Sequence, residues 1–353
     1  MSLHKITAGS GYEYLTRQVA RHDSTQDARP SLASYYTERG EVPGHWLGSG
    51  LAGLGGLAVG DEVTAEQMRA LFGCGYHPLA SVIAQRLQGP GSQAGYERAI
   101  ALGRPFRLYD DVTPFRVEVA RRIEAHNRAV GRPVDAPVSL DVRAQLRTAV
   151  AREWFVADHG REPLDERELA GQLARLSRQA TTAVAGFDLT FSPVKSVSAL
   201  WAVAEAAVAA RIERAHQAAV GDALAFLERG ALFTRLGDGG VRQVEVRGLI
   251  GAAFTHRDSR AGDPDLHTHV AVANKVQTLD GRWLAIDGRV LFKANVTASE
   301  VYNTSLERRL AEDLGVRFTA RLDTEPGRRP VREIDGVHPG LLERWSTRRR
   351  AIE

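Results

Sequence analysis

The chain has 353 residues, of which 43% are hydrophobic and 25% charged, so its composition is that of a folded globular protein with room for one large domain or two ordinary ones. The formal net charge of +3 permits nucleic-acid binding without requiring it. Cys74 is the only cysteine, which excludes an internal disulfide and fits a reducing cytoplasm.

The N-terminal half predicts one short strand followed mostly by helices. Residues 3–8 have the pattern of a strand, and residues 12–21 that of the helix after it. The Gly- and Leu-rich stretch 48–60 predicts irregular structure. From residue 64 to 183 apolar residues recur at three- and four-residue spacing, which predicts helices at 117–130, 139–159 and 165–180.

The C-terminal half predicts a sheet. Strand patterns fall at 186–191, 232–236, 241–257, 266–277 and 282–286, and helical patterns at about 192–229 and 298–314. Ser192 and Pro193 predict a helix start with Ser192 as the N-cap. The pair Asp280-Gly281 predicts a hairpin turn, and Gly315 predicts a helix C-cap. The predicted fold class is therefore α+β, with an antiparallel β-sheet palm and flanking helices.

Three histidines, His256, His267 and His269, lie within fourteen residues. Alternate side chains of a strand point to the same face, so His267 and His269 share a face. The polar loop 258–265 would turn the preceding strand back and bring His256 beside them. The pattern predicts a three-histidine metal site with open coordination positions, which is typical of catalysis. Surface or core histidines are the alternative, since a His-x-His triplet alone is a weak signal.

Four of the eight tyrosines lie before residue 40, namely Tyr12, Tyr14, Tyr35 and Tyr36. A tyrosine hydroxyl, with a pKa of about 10, becomes a nucleophile when a cation or base stabilises its phenolate. Such a phenolate can attack phosphorus and form a phosphotyrosyl ester, while a metal neutralises the phosphate oxygens. The alternative is that these tyrosines are packing residues.

Two long segments resemble the MobF (TrwC/TraI-like) class of conjugative relaxases, which are His-hydrophobic-His (HUH) endonucleases. The segments are GFDLTFSPVKSVS at 186–198 and DLHTHVAVAN at 265–274, and Tyr35-Tyr36 followed by Trp46 is similar to the same class. The resemblance covers about residues 1–60 and 186–350. It implies the HUH relaxase fold and an enzyme that nicks one strand of plasmid DNA at the transfer origin. That enzyme stays joined to the 5′ end as a phosphotyrosyl intermediate and then reseals the strand.

The resemblance also assigns the residues around the metal. It implies His256, His267 and His269 as ligands and Asp188 as the acidic residue beside the metal. A carboxylate there can accept the second N–H of a ligand histidine and fix its tautomer. The alternative is that Asp188 only ends a strand.

Three further residues are expected to bind phosphate. Lys195 and Ser196 fall at a predicted helix start, where backbone N–H groups and a cation suit a phosphate. Arg260 matches a family position and would approach the scissile phosphate. A solvated helix start and an exposed loop arginine are the alternatives.

The resemblance places the first nucleophile at Tyr14, through the segment TAGSGYEY at residues 7–14. The class often has adjacent tyrosines at this point, whereas this chain has Tyr14 followed by Leu15, with Tyr12 two residues earlier. Tyr12 therefore remains an alternative nucleophile. Tyr35 and Tyr36 are similar to a second pair that acts in a later strand-transfer step.

The resemblance implies a divalent metal, with Mg²⁺ or Mn²⁺ expected in the cell, although three imidazoles would also accept Zn²⁺, Ni²⁺ or Cu²⁺ in vitro. The implied partners are single-stranded and hairpin transfer-origin DNA, relaxosome accessory proteins and a coupling protein, with the relaxase acting as a monomer. We expect no signal peptide and no membrane segment. The expected location is the bacterial cytoplasm, with transfer to a recipient cell while bound to DNA.

We interpret residues 1–353 as a single relaxase domain. It comprises an N-terminal strand and tyrosine helix region (1–60), a catalytic palm (186–320) and a C-terminal segment (321–353). Residues 78–182 do not map onto the best-known relaxases and predict a helical insertion. The alternative functions are a rolling-circle replication initiator, a non-catalytic ssDNA-binding module, and a three-histidine oxygenase or hydrolase.

Overall fold

The computed structural model describes residues 1–17, 43–87, 93–108, 114–177, 183–259, 261–321 and 330–347. Tyr35, Tyr36 and Arg260 lie outside the described residues. The chain divides into two compact units, the first comprising Met1–Arg107 and Ala183–Glu353 and the second Leu108–Thr182. No helix among the described residues is both long enough and apolar enough to cross a membrane.

The helices and strands follow one another in a mixed order, and two short 3-10 helices span Ser49–Gly53 and Asp238–Gly240. The strands are β1 (Ser2–Thr7), β2 (His45–Leu47), β3 (Val184–Phe191), β4 (Phe233–Leu236), β5 (Arg242–Glu245), β6 (Gly251–Asp258), β7 (Pro264–Ala273), β8 (Val276–Gln277), β9 (Trp283–Leu284), β10 (Phe318–Ala320) and β11 (Arg332–Ile334). The helices are α1 (Glu13–Arg17), α2 (Ala65–Met68, continued by a π-helix over Arg69–Cys74), α3 (Ala80–Arg86), α4 (Gln93–Ile100), α5 (Pro114–Ala129), α6 (Leu140–His159), α7 (Glu166–Ser177), α8 (Lys195–Val203), α9 (Ala206–Gly230), α10 (Gly288–Leu314) and α11 (Pro339–Arg344).

A five-stranded sheet in the order β1-β3-β7-β6-β2 organises the first unit, and all its pairs are antiparallel. Alternate residues of β3 and β7 point to opposite faces, so these central strands contribute to two cores. On one face Leu189, Val270 and Val272 pack in a core with residues of α9 and α10. On the other face Ala271 packs in a core with Trp46 and the N-terminal region. The predicted α+β class with an antiparallel sheet is confirmed.

Two predicted helix starts were wrong. The helix α8 begins at Lys195 rather than at Ser192-Pro193, because Val194 is extended and serves as the N-cap without a side-chain bond. The helix α10 begins ten residues before the predicted position 298, because the Asp287 carboxylate accepts the N–H of Arg289. Its predicted C-cap is confirmed, since Gly315 adopts φ 71°. The Asp280-Gly281 turn is also confirmed, joining the antiparallel pair β8 and β9.

The helices α5, α6 and α7 form the second unit around a core that contains Phe115, Val150 and Leu169. The predicted insertion starts earlier, at residue 78, but α3 and α4 belong to the first unit. In the segment after α4, the carbonyl oxygens of Leu102 (2.9 Å) and Arg104 accept hydrogen bonds from Lys275 Nζ of the same unit. The assignment of the whole chain to a single relaxase domain stays a prediction.

Burial of the Lys275 ammonium generates a prediction about stability. Burial lowers the pKa of Lys275 to about 8, whereas an unfolded lysine has a pKa of about 10.4. Between these two pH values the unfolded chain binds more protons, so this group makes the free energy of unfolding rise with pH. We expect urea unfolding from pH 7.5 to 10.5 to show wild type gaining stability relative to Lys275→Met. A difference that stays constant with pH would contradict this account.

Candidate active site

Strands β6 and β7 bring the three histidines together. His256 lies directly opposite His267 in the antiparallel register, and His269 lies two residues further along the same face. The ring centroids are 5.3 Å apart for His256 and His267, 5.6 Å for His256 and His269, and 5.2 Å for His267 and His269. All three residues are buried. The hairpin that the sequence predicts therefore places the three rings in one cluster.

The chemistry of this donor set fits a divalent metal ion. His267 Nδ1 lies 2.7 Å from the carbonyl oxygen of Asp265, and His269 Nδ1 lies 2.9 Å from Asp188 Oδ2, so each ring has Nε2 to offer as a ligand. Burial lowers the pKa of His267 and outweighs the hydrogen bond to the Asp265 carbonyl, which raises it, so this ring is neutral near pH 7. A neutral imidazole is the form that binds metal.

The spacing of the rings is slightly wider than in a closed metal site. Three imidazoles bound through Nε2 at about 2.1 Å would have ring centroids roughly 4.5 to 5.2 Å apart. As the side chains stand, no group of three or more His, Cys, Asp or Glu among the described residues is arranged to hold a metal ion.

Asp188 connects the histidine cluster to a tyrosine. Its buried carboxylate accepts the Oη–H of Tyr14 at 2.6 Å and lies 2.9 Å from His269 Nδ1. The hydrogen bond to His269 fixes the ring tautomer and raises the basicity of the other ring nitrogen. Thr190 Oγ1 is 3.2 Å from the same nitrogen of His269. The contact between Asp188 and His269 is the one expected from the sequence.

Tyr14 lies in the short helix α1, directly after the edge strand β1. Burial raises the pKa of Tyr14, and the charge of Asp188 and its hydrogen bond to the hydroxyl raise it further. The Asp188 carboxylate therefore holds the phenol in its neutral form. A divalent ion bound at the histidine cluster would favour the phenolate and so lower the pKa of Tyr14.

The two N-terminal tyrosines have different surroundings. Tyr12 is buried in the core that contains Trp46, with 7% of its surface exposed, and does not line the cavity described next. Tyr14 lines that cavity and contacts Asp188. The structure therefore places the two tyrosines differently, with Tyr14 at the cavity beside Asp188 and Tyr12 in the core.

The site opens into a cavity of about 890 Å³, which we call the catalytic cavity. The catalytic cavity is large enough to hold a segment of a polymeric substrate. Its polar lining contains residues that the sequence predicts as site residues and others that it does not predict. Lining residues include Tyr14, Asp188, Lys195, His256, His267, His269, Ser2, His4, Lys5, Thr190, Arg321 and Trp345.

Lys195 and Ser196 differ in their relation to the cavity. Lys195 lines it and donates from Nζ to the carbonyl oxygen of Pro264 at 2.7 Å. Ser196 is fully buried, and its backbone N–H donates to Glu333 Oε2 at 2.9 Å. Its Oγ accepts the N–H of Ile334 at 2.8 Å. Ser196 therefore attaches β11 to α8. The predicted contact of Ser196 with phosphate is wrong, because its backbone N–H already donates to the Glu333 carboxylate.

Three cavity residues, Arg321, Trp345 and Ser346, come from the C-terminal segment. Arg321 follows β10 and forms an ion pair with Glu333, and Trp345 follows α11. Thr347 anchors this segment, because its N–H and its hydroxyl each donate to the Asp263 carboxylate at 2.9 Å. No local sequence pattern marks these residues, since only the tertiary packing of distant segments brings them to the cavity.

Residues 8–353 match the family model described as TrwC relaxase. The chain belongs to the TrwC relaxase family. Among curated proteins, this relaxase-family chain is 36% identical over 177 residues to the multifunctional conjugation protein TraI of Escherichia coli. That match covers 47% of this chain and 9% of TraI. A TraI of E. coli strain K12 is 37% identical over 120 residues, which cover 33% of this chain and 7% of that protein. The chain thus spans less than a tenth of the length of these relatives.

Solved structures of the conjugative relaxase TrwC are similar in fold. The copper-bound complex of TrwC with oriT DNA aligns with a TM-score of 0.53 at 21% identity and covers 99% of this chain and 81% of that chain. TrwC with a 27-mer DNA that comprises the recognition hairpin and the cleavage site has a TM-score of 0.53 at 21% identity and covers 99% and 80%. The predicted HUH relaxase fold is therefore confirmed.

The histidine cluster generates a prediction about metal affinity. We expect isothermal titration of Mn²⁺ to show that His267→Ala and His269→Ala each lose most of the binding seen in wild type. Asp188→Asn should weaken binding by about 10- to 100-fold, because it changes the hydrogen bond that orients His269. His4→Ala is the matched control, since His4 lines the same cavity outside the cluster. Equal affinities for the four variants and wild type would contradict a metal site at these histidines.

Proposed function

We propose that this chain is a conjugative DNA relaxase that nicks and rejoins one strand of transfer-origin DNA through a tyrosine. The observation that carries this proposal is the hydrogen bond of 2.6 Å from Tyr14 Oη to Asp188 Oδ2, on a carboxylate that also contacts His269. A nucleophile, a proton acceptor and a metal ligand are thereby joined through one side chain. Membership of the TrwC relaxase family supports the same reading.

The reaction that we propose begins with proton transfer from Tyr14 Oη to the Asp188 carboxylate. The phenolate oxygen attacks the scissile phosphorus, a new P–O bond forms to Tyr14, and the bond from phosphorus to the 3′ oxygen breaks. The departing 3′ oxygen takes up a proton from solvent water and becomes a free 3′-OH, Asp188 releases the Tyr14 proton to solvent, and the 5′ end stays on Tyr14 as a phosphotyrosyl ester. Because this ester conserves the bond energy, attack by the 3′-OH reverses the steps and reseals the strand without ATP.

The three histidines would hold the divalent ion in this proposal. The ion supplies positive charge to the non-bridging oxygens of the phosphate when it is bound. We expect Mg²⁺ or Mn²⁺ in the cell, although imidazoles bind Zn²⁺, Ni²⁺ and Cu²⁺ more tightly than either. One of the TrwC structures is copper-bound, which supports a divalent ion without identifying the ion used here.

Lys195 is the side chain that we propose for direct contact with the scissile phosphate or its neighbour, because its ammonium lines the catalytic cavity. Arg260, Tyr35 and Tyr36 stay predictions of the family resemblance. The proposed substrate is a DNA hairpin followed by a single strand, which is the kind of DNA named for one TrwC complex. From the family we also propose that the chain acts as a monomer in the bacterial cytoplasm, together with relaxosome accessory proteins and a coupling protein. We propose that it passes to a recipient cell while bound to the DNA.

The decisive experiment mixes the protein with single-stranded DNA from the transfer-origin region of its plasmid, with Mn²⁺ or with EDTA, and separates the products by denaturing electrophoresis. We expect a protein–DNA adduct that requires the metal and falls below detection in Tyr14→Phe. Tyr12→Phe is the matched control and should retain the adduct, because Tyr12 is a core residue. Metal-dependent cleavage without an adduct would replace the tyrosine mechanism with hydrolysis.

Asp188 generates a separate prediction about rate. An amide at this position cannot take the proton of Tyr14, so Asp188→Asn should slow adduct formation by about 10²- to 10⁴-fold. The comparison is made at Mn²⁺ concentrations that saturate each protein, so that weaker metal binding does not contribute. An unchanged rate under saturation would show that Asp188 positions His269 without serving as the base.

A further inference from the structure

A second cavity, of about 820 Å³, lies beside the edge strand β1 and the first turns of α10. We call it the Phe292 groove and define it by Lys5, Phe187, Arg289, Phe292 and Lys293. Lys5 lines both this groove and the catalytic cavity. The two cavities are therefore neighbours along β1, and a flexible polymer in one can continue into the other.

Phe292 is a large apolar side chain that remains 39% exposed. Its ring packs edge-on against the buried ring of Phe187, with centroids 6.0 Å apart and an interplanar angle of 78°. Lys5 Nζ lies 5.8 Å from the centroid of the Phe292 ring. The ring is thus supported from the core and flanked by a cation, while part of its surface is open to a ligand. A supported, partly exposed ring offers a stacking surface for a planar group.

The charge around the ring favours an anionic ligand. Lys5, Arg235, Arg289 and Lys293 all line the groove. The carboxylate that faces them belongs to Asp287, which is buried and forms ion pairs with Arg235 at 2.5 Å and with Arg289 at 3.7 Å. Asp287 is therefore compensated, and Lys5 and Lys293 add positive charge at exposed positions.

We propose that the Phe292 groove binds single-stranded DNA that is continuous with the strand in the catalytic cavity. One base stacks on the Phe292 ring, while Lys293 and Lys5 contact the phosphates on either side of it. Aromatic rings interleaved with cations are the recurring solution for binding single strands without sequence preference. This inference rests on the proposed function, because that function supplies the strand that enters the groove.

Binding of fluorescein-labelled dT20, followed by fluorescence anisotropy, tests the groove. Phe292→Ala should weaken binding on the order of tenfold, because it removes a stacking partner. Val296→Ala is the matched control and should bind as wild type, since Val296 is 70% exposed on the same helix and does not line the groove. Equal affinities for the two variants would overturn the stacking role of Phe292.

A second test of the groove reverses the charge of Lys293 and measures how dT20 binding depends on salt. Lys293→Glu should lower the affinity and reduce the slope of log affinity against log salt by about one, which is the loss of a phosphate contact. Arg317→Glu changes the net charge equally at a residue outside both cavities, and it should leave the slope close to that of wild type. Equal effects of the two reversals would mean a general attraction to the surface and would overturn the groove.

Two further measurements separate this inference from its alternatives. A 20-residue poly-Glu peptide should displace dT20 poorly, because it offers charge without bases, and equal displacement would identify the groove as a site for acidic peptides. If Phe292→Ala and Lys293→Glu bind dT20 as wild type but still form the Tyr14 adduct, the groove fails and the proposed function stands. If both variants lose dT20 binding while the wild-type protein forms no adduct, the groove stands and the proposed function fails.

Discussion

The antiparallel register of β7 between β6 and β3 is the constraint on which the active site depends. This register sets His267 opposite His256 and His269 opposite Thr190. Asp188 lies two residues from Thr190 on β3, and its side chain therefore points to the same face of the sheet. Successive side chains of a strand point to opposite faces, so a slip of one residue would turn both β7 histidines into the other core. The pairing of backbone groups therefore brings His256, His267, His269 and Asp188 together on one face of the sheet.

A buried polar network on the other face of the sheet supports that register. Thr268 lies between the two β7 histidines, and its hydroxyl is 2.8 Å from His216 Nε2 on α9. The other ring nitrogen of His216 is 2.8 Å from the Tyr302 hydroxyl on α10. Burial lowers the pKa of His216 to about 3, so this ring stays neutral and can act as donor and acceptor at once. The network thereby ties the centre of β7 to both long helices.

Much of this site could be predicted from the sequence because its signals are local. The alternation of His267 and His269 and the polar loop before them reveal the histidine cluster, and the family resemblance identifies Asp188 and Tyr14. The sequence alone could not distinguish Tyr12 from Tyr14, because the distinction depends on the hydrogen bond between Tyr14 and Asp188, which are 174 positions apart. The burial of Ser196 beneath Glu333 has the same origin, since a contact across 137 positions leaves no trace in the local pattern.

The measurement that tests this account most directly locates the covalent link. After reaction with transfer-origin DNA, digestion with nuclease and trypsin leaves a short nucleotide on the residue that attacked, and tandem mass spectrometry identifies that residue. We expect a 5′-phosphonucleotide on Tyr14, the tyrosine that contacts Asp188. A modification on Tyr12, Tyr35 or Tyr36 with Tyr14 unmodified would contradict it.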